Sequence, residues 1–542
     1  PHTYDGSLTQ LDIQWEELDA RIRSAHIDSE LVILIEPNEL PKNQIKVIIE
    51  SGILWNRKGT LHRNSDHLLG RTNGVLTRVY TTGTLVDDDP YLDINTPYMS
   101  VWLDGPIGIS TGKPRTIDEI IDAIHIQEQN LKDDADEYGE LSDVFIAVQA
   151  GIAWNLIYEP KHDRVVSTVG RLWNEEYGGY CLFGWDNFFL AYMTGLSSRD
   201  LAYANAIEHL HGKTENGFIP NDNRGNGSKS FDRSQPPVGG IMVKEIYKRY
   251  PEQWFLEATF DDLLEWNRWW PNARMNGRLL SYGSSPANNP FNEPVFETKT
   301  AAGYESGMDD SPMYVGVPFN KNKHTMELQD VGLTSLYIAD CQALAEMAGI
   351  IDRNDEKMEL LKRAEEFSYA MEKVWDNNFG AYLNYRTDVD SLSKRVSPTM
   401  FYPLLAELGY KDRAGLIVKH FYDPKEFYGD WMLPSTTRND PLFPKQRYWK
   451  GAIWPPLNFL TYLSLRQAGF YSAASELSGK SLKLIMIEWN RKGYVSENYS
   501  SITGTGDDKR LSSDRFHSWG ALFGIMSFME NGYLERFEKQ IK

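Results

Sequence analysis

Residues 328–349 read LQDVGLTSLYIADCQALAEMAG, and at helical spacing nearly every face of that stretch is apolar. Such a helix has no face fit for water, so other elements must enclose it. The stretch that follows, DRNDEKMELLKRAEEFSYAMEKVW, has one charged face and suits a helix that covers an inner one. The alternation of inner and outer helices recurs along the chain. Helices are expected at 142–155, 186–195, 198–211, 237–250, 252–270, 330–349, 353–375, 398–409, 411–421, 452–468, 470–489 and 514–529. About twelve helices in inner–outer pairs describe an (α/α)6 barrel over 142–542. No sequence repeat supports this, so the expectation rests on helix count and alternation alone.

Before residue 112 the period changes to two. LVILIEP, IKVIIESGILW, GVLTRVYTTGTLV and YMSVWLDGPIGIS are strand-like runs separated by turn residues, and they predict a β-sandwich over 1–112. RTIDEIIDAIHIQEQNLKDDADEYGE, within 113–141, reads as a helical linker with a solvated charged face. The expected fold class is therefore mainly α, an (α/α)6 barrel with an N-terminal β-sandwich domain.

The totals exclude several functions. A formal net charge of -20 repels phosphate backbones and argues against nucleic acid as a partner. No apolar run is long enough to span a bilayer. The opening PHTYDGSLTQ has no signal-peptide pattern, and the compartment stays open. Two cysteines, Cys181 and Cys341, provide neither a disulfide framework nor a Cys-based zinc site. The histidines show no HExxH-type spacing, NDNRGNGSKSFD fails the calcium-loop template, and neither a G-x-S-x-G nor a phosphate loop occurs. No metal or cofactor is expected.

Aromatic residues make up 13% of the chain, with 16 Trp and 29 Tyr. Many lie in Gly- and Pro-rich segments between the expected helices, as in WNEEYGGYCLFGWDNFF, FYGDWMLPSTT and YWKGAIWPPLN. Long loops in a compact domain are usually functional. Rings rimmed by carboxylates suit a sugar, whose C–H faces pack on the rings while its hydroxyls bond to polar groups. The longest such loop contains ESGMDDSPMY (305–314). Ser311 and Pro312 suit the N-cap and first position of a helix, with Asp310 beside its positive end. That leaves Glu305 and Asp309 unexplained. Carboxylates on aromatic loops are the equipment of glycoside hydrolysis, and a small carbohydrate is the expected partner.

GWDNFF (184–189), GFIPN (217–221), DRSQPP (232–237), ESGMD (305–309), YWKGAIWPP (448–456) and ENYSSITGTG (497–506) occur in that order. Together they resemble the (α/α)6 glycosidases of glycoside hydrolase family 63, in the bacterial branch that includes mannosylglycerate hydrolase-like enzymes, and the related trehalases. The likeness spans about 140–542. It implies an inverting hydrolase of α-linked glucosides or mannosides, with Asp309 as general acid and Glu497 as general base. It implies that Trp185, Asp186, Arg233, Gln235, Trp449 and Trp454 line the substrate site, and Glu305 is placed with them. GGYCLFGWD lacks the Arg and Glu of the trehalase signature, and Tyr448-Trp449-Lys450 replaces its Gln-Trp-Asp. Trehalose is therefore not the expected substrate.

Plainer readings stand beside these. Asp186 suits an N-cap, and Trp266, Trp269 and Trp270 on a helix suit a core. The acid role needs a raised pKa at Asp309, for which Glu305 and Asp310 offer like charges, while Glu497 must stay ionised. The long loops suit a blind pocket and exo action. A sugar isomerase, epimerase or lyase on the same barrel, or an inactive carbohydrate-binding protein, are the alternatives.

Overall fold

The computed structural model describes residues 1–53, 57–87, 92–176, 179–409 and 411–535. The chain divides into two compact units. One is Pro1–Ala153 with Tyr158–Arg164, and the other is Trp154–Ile157 with Val165–Lys542.

The first unit holds strands β1 (Leu8–Trp15), β2 (Leu18–Ile27), β3 (Glu30–Pro37), β4 (Lys46–Glu50), β5 (Gly59–Arg63), β6 (Leu68–Thr72), β7 (Val75–Thr81), β8 (Leu85–Val86), β9 (Tyr98–Trp102) and β10 (Ile107–Thr111). They form a seven-stranded sheet in the order β1-β2-β3-β10-β7-β6-β5 and a three-stranded sheet in the order β4-β9-β8. Register is set locally. Thr72 pairs with Val75 across Asn73-Gly74, both at positive φ, the turn whose twist matches antiparallel strands. Alternation then sends Leu68 and Ile107 of one sheet and Ile49, Met99 and Val101 of the other into one shared core. Helix α1 (Ile117–Asp136) starts at a capping box between Thr116 and Glu119. Its buried stripe, Ile120, Ile124, Leu131 and Ala135, belongs to a helix packed on β2 and β3, and α2 (Ser142–Ala153) follows.

The second unit is mainly helical: α3 (Arg171–Glu176), α4 (Gly184–Thr194), α5 (Arg199–Leu210), α6 (Gly239–Arg249), α7 (Gln253–Arg274), α8 (Lys299–Glu305), α9 (Val331–Ile350), α10 (Asn354–Met371), α11 (Lys411–Phe421), α12 (Pro455–Gln467), α13 (Tyr471–Lys492) and α14 (Leu522–Glu530). Every residue of α4 is buried, and α9 is buried almost throughout, as its apolar circumference demands. Inner elements touch in sequence: α4 on α6, α6 on α9, α9 on the segment 398–404, that segment on α12, α12 on α14, and α14 back on α4. Helices α5, α7, α10, α11 and α13 each pack on the inner element that precedes them.

Two expected helices differ from the sequence pattern. The stretch 398–409 forms a 3-10 helix over Pro398–Leu404. Pro403 lies inside it and has no N–H to continue an α-helical ladder. The stretch 514–529 begins as a 3-10 turn at Ser518–Ala521, and α14 runs only from Leu522.

Candidate active site

Five segments of the second unit meet at one cavity of about 200 Å³, on the scale of a single sugar ring. The first is a two-stranded ribbon, Cys181–Phe183 against Asp222–Arg224, with Phe183 opposite Asp222. It runs straight into α4. Phe183 occupies the N-cap position and offers no capping side chain. The start of the helix is satisfied in two other ways: the Trp185 N–H donates to Gln235 Oε1 from another loop (3.0 Å), and the Phe183 N–H donates to Asn187 Oδ1 within the helix (3.0 Å). Asp186 is therefore not the N-cap that the sequence suggests. It stands in the first turn, and its side chain lines the cavity with Trp185 and Gln235.

The second segment delivers Arg233. Its Nη1 meets Asp232 Oδ1 at 2.7 Å, and its Nη2 lies 3.6 Å from Asp222 Oδ1 and 3.8 Å from Glu293 Oε2. Arg224 shares the same acids, with Asp222 Oδ2 at 2.5 Å and Glu293 Oε1 at 3.0 Å.

The third segment follows α8 and brings Asp309. The chain turns at Gly307 (φ +66°), where an added Cβ would come within 2.6 Å of the Trp185 ring. Only glycine permits both the conformation and the approach. Ser311 caps the turn that follows, accepting from Met313 N–H at 3.4 Å, but that turn is a single 3-10 turn over Pro312–Tyr314. It is too short to have the dipole expected beside Asp310. Asp310 instead forms an ion pair with Lys450 and accepts the Trp449 N–H (3.1 Å), tying this loop to the next one.

The fourth segment carries Tyr448 and Trp449, with Gln446 and Tyr448 both held in the left-handed region (φ +51° and +52°). Strained backbone of this kind persists where the surroundings over-determine it. The fifth brings Glu497, whose Oε2 accepts from Asn498 Nδ2 (3.2 Å) and the Asp514 N–H (3.3 Å). Trp519 Nε1 donates to the Glu497 carbonyl (2.9 Å).

Asp186 and Glu497 are buried at this cavity, and Asp309 lines it half-buried. Burial pushes Asp309 up to about 7, with Asp310 acting in the same direction, against its own N–H, Arg233 and the Tyr448 hydroxyl, which favour the charged form. Burial also holds Asp186 and Glu497 well above the usual carboxylate range, and Asp309 adds like charge to both. Glu497 is raised further by Asp514 and Asp186. Burial alone does not keep Glu497 ionised while protonating Asp309, the split that the sequence reading requires. It disfavours charge on every member of the cluster. Burial lowers His517 to about 3, so its ring is neutral.

Two candidate residues do not line the cavity. Glu305 is fully buried behind it, in a bidentate pair with Arg274 (2.6 Å to Nε, 2.8 Å to Nη2), and it accepts the N–H groups of Ser234 (2.9 Å) and Gly283 (2.6 Å). Its charge is compensated, so it is neither a substrate ligand nor a like charge acting on Asp309. Trp454 lies stacked behind Trp449, ring centroids 3.7 Å apart and planes 10° from parallel. Trp449 takes the cavity position, and Trp454 supports it. Trp266 and Trp270 are buried core, whereas Trp269 is half-buried, stacked on Phe218 and under the Arg274 guanidinium.

Sequence reasoning missed Tyr304, Tyr448, His517 and Trp519, all of which line the cavity. Tyr448 was within reach, since it precedes Trp449 inside a quoted motif. His517 lies outside every quoted motif, and its backbone is fixed by contacts distant in sequence: the Ser518 N–H and Oγ donate to Val169 O (2.9 and 3.0 Å) and the Phe516 N–H to Val495 O (2.8 Å). Trp185 and Trp449 line the cavity, and their buried indole N–H groups have no hydrogen-bond partner among the described residues. Among the described residues no cluster of three His, Cys, Asp or Glu side chains could hold a metal ion, and no helix is long and apolar enough to cross a membrane.

Comparison with known proteins places this arrangement. The family model described as mannosylglycerate hydrolase MGH1-like glycoside hydrolase domain matches residues 179–519. The chain is 24% identical over 313 residues to a mannosylglycerate hydrolase of Thermus thermophilus, covering 50% of this chain and 72% of that one. It is 22% identical over 338 residues to a glucosylglycerate hydrolase of Mycolicibacterium hassiacum, covering 50% and 70%. The crystal structure of a family 63 mannosylglycerate hydrolase, also from Thermus thermophilus and in complex with glucose, superposes with a TM-score of 0.54 at 19% identity, over 67% of this chain and 95% of that one.

Proposed function

The chain belongs to the MGH1-like glycoside hydrolases of family 63, and from that premise we propose that it is an inverting, exo-acting hydrolase of small α-linked glucosides or mannosides, with Asp309 as general acid and Glu497 as general base. The observation that carries this reading is that two acids from loops far apart in sequence line one cavity the size of a sugar ring. The closed ring of inner elements, each backed by an outer helix, supports an (α/α)6 barrel as the frame.

In this reading Asp309 gives its proton to the departing glycosidic oxygen. Glu497 takes a proton from a water that attacks the anomeric carbon on the opposite face, and one displacement through an oxocarbenium-like state inverts the centre. Two acids of one cavity that repel each other are cheapest with one proton between them, so the working form holds a single proton, on Asp309. Their titration belongs to the pair, and the rate follows a bell-shaped pH profile. Trp185 and Trp449 offer ring faces to the sugar.

The product decides the stereochemistry. Proton NMR in the first minutes of cleavage of an α-linked substrate is expected to show the β-anomer of the released sugar before mutarotation. An α-anomer formed first would make one carboxylate a nucleophile and end the base role of Glu497.

Tyr448 offers a second check. Its hydroxyl favours the charged form of Asp309, so Tyr448→Phe removes that help and raises the carboxyl pKa. The alkaline limb of kcat/KM then moves to higher pH, by about 1 pH unit at most, the scale of one hydrogen bond. A limb that stays in place or moves down would show that Tyr448 does not act on the acid.

A further inference from the structure

We propose that Asp514 is a positioning residue for the reaction: its main chain clamps one carboxylate oxygen of Glu497 and leaves the other to the attacking water, and its own carboxylate, anchored on Trp173, is the like charge that makes Glu497 a stronger base. This rests on the hydrolase reading above and adds to it a residue outside the cavity wall. The two segments run antiparallel. The Phe516 N–H donates to Val495 O (2.8 Å), Ser496 pairs with Arg515, and the Glu497 N–H donates to Asp514 O (2.8 Å). The Asp514 N–H donates back to Glu497 Oε2 (3.3 Å). Asn498 Nδ2 makes the second bond to the same oxygen (3.2 Å) and is itself fixed by Ser512 O (2.7 Å). Glu497 Oε1 accepts no hydrogen bond among the described residues, while the side chain lines the cavity. Oε1 is therefore the oxygen left to take the proton from water.

Asp514 does not line the cavity. Its Oδ2 accepts the Trp173 Nε1–H at 2.7 Å, a bond that favours the ionised form and opposes the effect of burial. No cation pairs with it among the described residues, and Arg515, next in the chain, lies over the Tyr494 ring (5.6 Å). The other titratable groups around Glu497 are Asp186, Asp309, the Tyr448 hydroxyl and the neutral His517 ring. Arg224 and Arg233 of the wall are engaged by Asp222, Asp232 and Glu293. After burial itself, the Asp514 charge acts most strongly on Glu497. A general base works best with its pKa near the working pH. The Asp514 N–H lets the buried Glu497 ionise, and the Asp514 carboxylate tightens its hold on the proton that it takes.

Asp514→Asn tests this, because it removes the charge and keeps the shape, both main-chain bonds and an acceptor for Trp173. The acidic limb of the kcat/KM profile, which follows Glu497, is expected to move to lower pH by about 0.5–1 unit, since the like charge that raised Glu497 has gone. The alkaline limb, which follows Asp309, stays in place. At the plateau kcat falls about threefold, as a weaker base demands, and KM holds, because Asp514 does not line the cavity. Ser513→Ala is the control for the loop. Ser513 Oγ accepts the Asn498 N–H (3.1 Å) and donates to Asn498 O (2.8 Å), so its loss disturbs the same segment without changing charge, and both limbs should stay. An acidic limb that stays or moves up in Asp514→Asn, or that moves equally in Ser513→Ala, overturns the inference and leaves the hydrolase reading standing. If no α-glycoside is cleaved, or Glu497→Gln keeps wild-type activity, that reading itself fails, and the inference falls with it.

Discussion

Asp309→Asn and Glu497→Gln each lower kcat by roughly 10²–10⁴-fold or more while the protein stays folded. Each substitution keeps the side-chain shape and removes the ability to give or take the proton. Asp310→Asn is the control, because Asp310 is engaged with Lys450 and the Trp449 N–H. It should cost far less activity. It should also move the alkaline limb of the profile to lower pH, since a like charge that raises Asp309 has gone. Either of the first two variants retaining more than about a tenth of wild-type kcat with a normal melting curve would remove that residue from the mechanism. The Asp309 variant has a second, independent signature. Its folded-state pKa of about 7 lies above the value of 3.8 for a free side chain, so the unfolded chain gives up this proton first as pH rises. Stability is lost between about pH 4 and pH 7, and a neutral Asn avoids the loss. Asp309→Asn should therefore melt higher than the wild type at pH 8 and no higher at pH 4. Equal melting at pH 8 would mean that folding does not raise the Asp309 pKa.

Breaking the Arg274–Glu305 pair carries the second large effect, this time on stability. Both side chains have no exposure, and Arg274 also donates to the Asp232 carbonyl (3.0 Å) and Ser285 Oγ (2.7 Å). Glu305→Gln leaves a buried guanidinium without its counter-charge, and Arg274→Met leaves a buried carboxylate without one. Each single change is expected to destabilise by about 3–5 kcal/mol in urea unfolding. The double variant Arg274→Met/Glu305→Gln should recover a substantial part of the summed loss. It leaves no unpaired charge, and the Gln amide oxygen still accepts one of the two N–H groups, of Ser234 and Gly283, that the two carboxylate oxygens accept. Additive losses in the double variant would show that the pair is not coupled. Because Ser234 N–H and Asp232 C=O flank Arg233, the singles should also lower kcat/KM at temperatures well below unfolding.

These contrasts explain what could be read along the chain. Helix α9 was legible because an all-apolar circumference has one physical outcome. The 72–75 hairpin was less so, since Asn-Gly marks a turn but not which sheet receives it. Asp309 and Glu497 reach one cavity from motifs that stood out locally. Glu305, four residues before Asp309, looked like part of the same group. Its partner lies at the end of α7, and nothing near Glu305 in sequence announces Arg274. Trp449 and Trp454 flank a turn in the same way on paper, and only packing sends one to the cavity and the other behind it. Asp186 has the chemistry of a cap, but Gln235, from another loop, already serves the helix end. The ionisation of Glu497 was judged from its role, whereas burial is a property of the whole shell.

The indoles of Trp449 and Trp454, nearly parallel and in van der Waals contact, make one more thing possible. Two chromophores that close share their excited states, and the pair absorbs and rotates polarised light as a unit rather than as two separate rings. Trp519 meets Trp454 edge-on at 5.6 Å and Trp185 at 6.2 Å, so excitation passes readily through the whole group. Since Trp449 and Trp185 also form the wall of the cavity, a sugar settling against them alters the environment of the chromophores themselves. The protein thus contains its own optical reporter of occupancy, readable by near-ultraviolet circular dichroism or intrinsic fluorescence with unlabelled ligands.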